Sequence, residues 1–141
     1  MRSRGVDFLV IGGWAAIAHG LPRTTVDVDL FVRPTRENID RLIGALSDIG
    51  FGIANELEPT AILDHRVFLF SDQIRVDLFT RPWGLSDFDR CWQERREIEW
   101  SGATIPFVGF EDLIRSKETG REQDLADVEA LREIERRKRG G

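Results

Sequence analysis

Cysteine is almost missing: Cys91 stands alone among 141 residues, which excludes an intrachain disulfide and a cluster of thiolate metal ligands. No apolar run approaches the roughly 18 residues of a membrane-spanning helix, and Met1-Arg2-Ser3-Arg4 leads into no signal-peptide anatomy. Both features point to a cytoplasmic setting away from the membrane. An excess of positive charge is also lacking. A net charge of −5 excludes a protein that coats nucleic acid through overall charge. The tail Arg136-Arg137-Lys138-Arg139 is locally basic, but its first reading is a solvated terminus. Internal repeats, low-complexity stretches and linkers are absent, so residues 1–141 read as one domain. With 41% apolar and 32% charged residues, that domain is globular and holds a modest core.

Residues 7–12 carry the run Phe8-Leu9-Val10-Ile11 ahead of two glycines, the pattern of a buried strand and a tight turn. A helix is predicted over 14–19, closed near Gly20 and Pro22. Residues 26–32 alternate: Val26, Val28, Leu30 and Val32 share one face, and Asp27, Asp29 and Phe31 share the other. Thr35 caps the next helix, whose Ile39, Leu42, Ile43, Leu46 and Ile49 form an apolar stripe that Gly50 ends. Runs at 67–70 and 74–79 predict a hairpin; in the second, Arg75, Asp77 and Phe79 share the non-aliphatic face. A short helix at 85–94, a β pair at 98–107 and helices at 110–118 and 122–137, broken or kinked at Gly120, complete the chain. Without regular βαβ alternation, this is an α+β fold with a mixed sheet.

Three aspartates interrupt these strands: Asp27, Asp29 and Asp77. Aspartate is depleted in strands, and the period of two places Asp27 and Asp29 on one face. If the strand with Asp77 is a neighbour, three carboxylates converge, and they repel one another unless a cation or a proton neutralises them. Mg²⁺, with Mn²⁺ as the alternative ion, suits such hard oxygen ligands and also binds phosphates. Two such ions about 3.5–4 Å apart clamp the attacking and leaving oxygens of an in-line phosphoryl displacement. The competing account scatters the aspartates over a solvated sheet face.

Gly12 and Gly13, between a strand and a helix, either let backbone N–H groups approach a phosphate or simply make a tight turn. Arg23, four residues before Asp27, is a candidate for holding triphosphate oxygens. His19 reads first as a locally satisfied histidine at a helix end, with substrate contact as the alternative; Trp83, Trp92 and Trp100, with Phe79 and Phe88, read for the most part as core, with a base-stacking ring among them as the alternative.

The pattern Gly12-Gly13, Asp27-Val28-Asp29 and Arg75-Val76-Asp77-Leu78 resembles the signature of the DNA polymerase beta-like nucleotidyltransferase superfamily. The strings Val10-Ile11-Gly12-Gly13-Trp14-Ala15 and His19-Gly20-Leu21-Pro22-Arg23-Thr24-Thr25-Val26, with Asp112-Leu113-Ile114, Lys117, Gly120-Arg121 and Asp124-Leu125-Ala126-Asp127, resemble its small stand-alone prokaryotic members. The resemblance implies a nucleotidyltransferase fold with Mg²⁺ held by Asp27 and Asp29. Asp77 completes the site as metal ligand or as base toward an acceptor hydroxyl. The partners it implies are a nucleoside triphosphate and an acceptor: an antibiotic-like small molecule, a tRNA 3′ end or a protein hydroxyl.

Lys117, Arg121 and Asp124 share a face only if one helix runs through Gly120. They are ordinary ion pairs or, as the resemblance implies, Lys117 or Arg121 faces the nucleotide. Many members place a serine directly after the first glycine; here Gly13 and Trp14 follow, which leaves the phosphate to backbone N–H groups. The chain also starts almost at its first strand, consistent with a short start or with a homodimer or partner protein covering that sheet face. The alternative function is a non-catalytic nucleotide- or partner-binding module, such as a toxin–antitoxin component.

Overall fold

The computed structural model describes residues 5–22, 24–25, 27–71, 74–85 and 87–140. Its centre is two apolar strands, β1 (Phe8–Ile11) and β2 (Asp27–Val32), paired antiparallel with Val10 opposite Leu30 and Ile11 opposite Asp29. The connecting helix α1 (Gly12–Ala18) starts two residues earlier than the sequence pattern suggests, and it buries Ala15 and Ala16. After β2, Thr35 accepts a hydrogen bond from the Asn38 N–H and caps α2 (Arg36–Asp48), whose apolar stripe buries Ile39, Leu42, Ala45 and Leu46.

The hairpin β3 (Val67–Ser71) and β4 (Ile74–Phe79) joins through β4, which lies parallel to β2. On the other side β6 (Ala103–Phe107) runs parallel to β1 and carries β5 (Arg96–Trp100) antiparallel at the edge. The sheet order is β3-β4-β2-β1-β6-β5. Mixed strand directions and interspersed helices make this α+β, as the sequence predicts.

Helices α4 (Phe88–Gln93), α5 (Phe110–Ser116) and α6 (Glu122–Gly140) follow. Phe31 of β2 meets Phe88 of α4 edge-on at 5.1 Å between ring centres, and Leu9 beside it is fully buried. The other sheet face, with Phe8, Val10, Leu30 and Val76, meets Leu46 and Phe51 around an open apolar groove of about 590 Å³.

Two segments differ from expectation. Residues 51–66, which carry no clear periodicity, hold a 3-10 turn at Gly52–Glu56 and the short helix α3 (Pro59–Asp64), with proline in its first turn. The helix expected over 85–94 begins only at Phe88, because the Asp87 side chain accepts from the Arg90 N–H and caps it there. Among the described residues no helix is long and apolar enough to cross a membrane.

Buried Asn38 locks the start of β1 to the end of β2. Its Oδ1 accepts from the Asp7 N–H at 2.7 Å, and its Nδ2 donates to the Asp7 and Arg33 carbonyls at 2.9 and 3.0 Å. Truncation leaves the part-buried Asp7 N–H without its acceptor and removes one of the two hydrogen bonds at each of the Asp7 and Arg33 carbonyls. Asn38→Ala will lower unfolding stability by about 2–4 kcal/mol in urea titrations, and a loss under 1 kcal/mol would refute this role.

Candidate active site

The parallel register of β2 and β4 sets Asp29 directly beside Asp77 and Asp27 beside Arg75, all on the sheet face opposite the aliphatic residues. Neighbouring strands lie about 4.8 Å apart, so two carboxylates share a small space. Asp77 is only 4% exposed. Its Oδ1 accepts from the Arg75 Nε–H at 2.7 Å, and its Oδ2 accepts from Arg66 Nη2 at 2.9 Å. Each guanidinium also lies on a ring: Arg66 is 4.8 Å from the Phe79 centre, and Arg75 is 4.4 Å from Phe68 and 5.7 Å from Phe70. Asp77 thus has a fixed orientation, provided by neighbours on β4 and at the entrance to β3.

Asp29 is placed differently. Among the described residues neither it nor Asp27 has an ion-pair partner. Burial, the Asp77 charge and the Asp27 charge push the Asp29 carboxyl up to about 6, against an opposing pull from Arg66 and Arg75. It lies against the turn after β1, where Gly12 has φ +68° and a Cβ would sit 2.2 Å from Asp29 Oδ2. A Cβ at Gly13 would come 3.3 Å from Thr25. Gly12 is therefore needed sterically, whereas a Cβ at Gly13 asks only for a small shift of the Thr25 side chain.

The donor set fits a hard divalent cation. Asp27 and Asp29 offer carboxylate oxygens that no side chain among the described residues ion-pairs, and the Asp29 carboxyl is raised first by burial and then by the Asp77 charge. Asp77 already has its charge balanced by the two arginines, and among the described residues no three His, Cys, Asp or Glu side chains close around a common point.

The remaining candidates lie elsewhere. Arg23 falls outside the described residues. The chain does not run as one helix through Gly120: α5 ends at Ser116, Gly120 adopts φ +85° and α6 begins at Glu122. The turn still gathers Lys117, Arg121 and Asp124. The buried Lys117 ammonium donates to Asp127 at 2.9 Å and lies 3.9 Å from Asp124, which takes the Arg121 Nε–H at 2.7 Å. These bonds clasp α5 to α6, and none of them reaches Asp27, Asp29 or Asp77. Buried His19 donates Nε2–H to the distant Val108 carbonyl at 3.0 Å rather than to a local group, and desolvation lowers its pKa. Trp14, which follows the glycine pair, meets Trp100 edge-on at 6.0 Å around an apolar pocket of about 270 Å³ on the aliphatic sheet face. Arg66 escaped the sequence reading because its stretch has no period. Arg75 was visible only as sharing a face with Asp77.

A family model described as "Nucleotidyl transferase of unknown function (DUF2204)" matches residues 1–140. No functionally curated protein matches the sequence. Among solved structures, the chain is similar to the lincosamide antibiotic adenylyltransferase LnuA with lincomycin bound (TM-score 0.61, 20% identity, 94% of this chain and 90% of that one). It is also similar to an antigenic nucleotidyltransferase-like protein from Paracoccidioides brasiliensis (TM-score 0.59, 18% identity, 92% of this chain and 69% of that one). At these identities the likeness is one of fold.

Two outcomes follow from the carboxylate geometry. Gly12→Ala will lose folded stability or displace Asp29, because the added methyl overlaps a carboxylate oxygen at 2.2 Å; an unchanged melting temperature and an unchanged Asp29 titration would exclude the contact. The second concerns pH. A carboxyl whose pKa is 3.8 unfolded and about 6 folded makes the protein less stable as pH climbs through that interval, because the folded form holds the proton more tightly. In metal-free buffer, Asp29→Asn will therefore raise the melting temperature at pH 7.5 and leave it nearly unchanged at pH 3.5. Equal effects at both values would count against the crowding.

Proposed function

The chain belongs to this nucleotidyl transferase family, and from that premise we propose that it moves a nucleoside monophosphate from a nucleoside triphosphate to an acceptor hydroxyl with the help of Mg²⁺. Residues 1–141 form one catalytic unit in this reading. The observation that carries it is the in-register pairing of Asp29 with Asp77, beside a glycine turn that presses on Asp29.

The triphosphate docks along Gly12-Gly13, whose N–H groups meet its oxygens, with Arg23 as a further contact. Asp27 and Asp29 hold the cation. Bound Mg²⁺ neutralises the phosphate oxygens and polarises the α-phosphate for attack. Asp77 receives the acceptor. Each of its oxygens accepts one arginine hydrogen bond and keeps a second lone pair, so it can take the hydroxyl proton without leaving Arg66 and Arg75. The acceptor oxygen then bonds to the α-phosphorus, the bond from that phosphorus to the α,β-bridging oxygen breaks, and the electron pair departs with pyrophosphate. Catalysis consists of positioning and charge complementarity. Lys117 and Arg121 act one step back, steadying the α5–α6 junction.

The acceptor is a small molecule such as an antibiotic, a tRNA 3′ end or a protein hydroxyl. Incubating the protein with cell lysate and each α-labelled triphosphate identifies both substrates at once. Asp29→Asn will reduce label transfer by about 100-fold or more while the protein remains folded. Transfer retained within tenfold would refute the metal role. Mg²⁺ will raise the melting temperature of the native chain more at pH 7.5 than at pH 5, since the proton on Asp29 competes with the ion. A shift independent of pH would separate the ion from Asp29.

A further inference from the structure

We propose that Phe68 and Phe70 form a stacking platform for the acceptor, and that this acceptor bears its hydroxyl close to a planar aromatic or heteroaromatic ring. This inference rests on the transferase reading of the same site.

Both side chains are large, apolar and exposed, 51% for Phe68 and 63% for Phe70. Their strand, β3, lies at the edge of the sheet. Leu69 between them points into the core and anchors that strand. The antiparallel register puts Phe68 opposite Asp77 and Phe70 opposite Arg75, so both rings project on the carboxylate face. Directly opposed residues have Cβ atoms about 4.5–5.5 Å apart. A ring resting on Phe68 therefore brings a substituent hydroxyl within about one ring width of Asp77.

The position across the sheet assigns the platform to the acceptor and not to the nucleotide. The glycine turn lies at the end of β1, and the sheet order separates it from β3 by β2 and β4. Triphosphate and platform thus flank the carboxylates from opposite sides. The preference for a flat ligand follows from what the rings already hold. The planar Arg75 guanidinium sits 4.4 Å over Phe68, and the two rings stand edge to face with centres 5.7 Å apart. Beside that cation both rings remain more than half exposed, and stacking is the interaction such exposed rings reward.

The test uses the full chain and matched probes: benzyl alcohol against cyclohexylmethanol, and adenosine against ribose. Binding is followed by the ring resonances of phenylalanine-labelled protein, which needs no turnover. Label transfer from α-labelled triphosphates is measured in parallel. The aromatic member of each pair will bind about tenfold more tightly, shift the Phe68 and Phe70 resonances and be the better acceptor. The double variant F68L/F70L keeps apolar bulk at exposed positions and will fold, yet lose the preference. Equal binding within each pair, or a preference that survives in F68L/F70L, overturns the platform. So does a native chain that dimerises through these rings while F68L/F70L is monomeric. Acceptor-independent release of labelled monophosphate, lost in D29N, reports on the transferase reading by itself. Release without aromatic preference overturns the platform alone. Ring shifts without any release in the native chain overturn the acceptor role together with that reading.

Discussion

Two negative charges forced together by a strand register are what the rest of this small fold accommodates. Asp29 and Asp77 occupy paired positions on parallel neighbours, and Asp27 flanks them on the same face. Asp77 is balanced by Arg66 and Arg75, which also lie on Phe79 and Phe68. Among the described residues Asp29 has no such partner, and its carboxyl is pushed up to about 6. The division suits the proposed chemistry: one carboxylate is kept oriented, and the other is left short of positive charge where a cation and phosphates are to arrive.

The scaffold explains why this asymmetry persists. Opposite the carboxylates the same strands present aliphatic residues to the core, so the polar face cannot turn inward without exposing Val76 and Leu78. Asn38 holds the far ends of β1 and β2 together through three backbone hydrogen bonds. The turn at Gly12 is packed against Asp29 itself, so the glycine turn and this carboxylate form a single packed unit.

Much of this was legible in the residues. Alternation placed Asp27 and Asp29 together on one face of their strand and Asp77 with Arg75 on one face of theirs, and the caps at Thr35 and Gly50 bounded α2. Adjacency of β2 and β4 was not legible, because pairing between strands some fifty residues apart depends on the whole sheet rather than on local pattern. Residues 51–66 were unreadable since short helices carry too few turns to show a period; Pro59 was the one usable sign. The Lys117 cluster was recognised by helical spacing, yet the chain reaches it through a left-handed turn at Gly120. Phe68 and Phe70 were hidden inside a continuous apolar run, which looks the same whether one face of the strand is buried or both.

The pairing of β2 with β4 also acts as a check on the quality of each folded copy. A slip of one residue would carry Asp77 toward the interior and turn Val76 and Leu78 to water, so a misaligned chain would lose its core as well as its chemistry. The register that buries Val76 and Leu78 is thus the same one that sets Asp29 beside Asp77, and neither arrangement forms without the other.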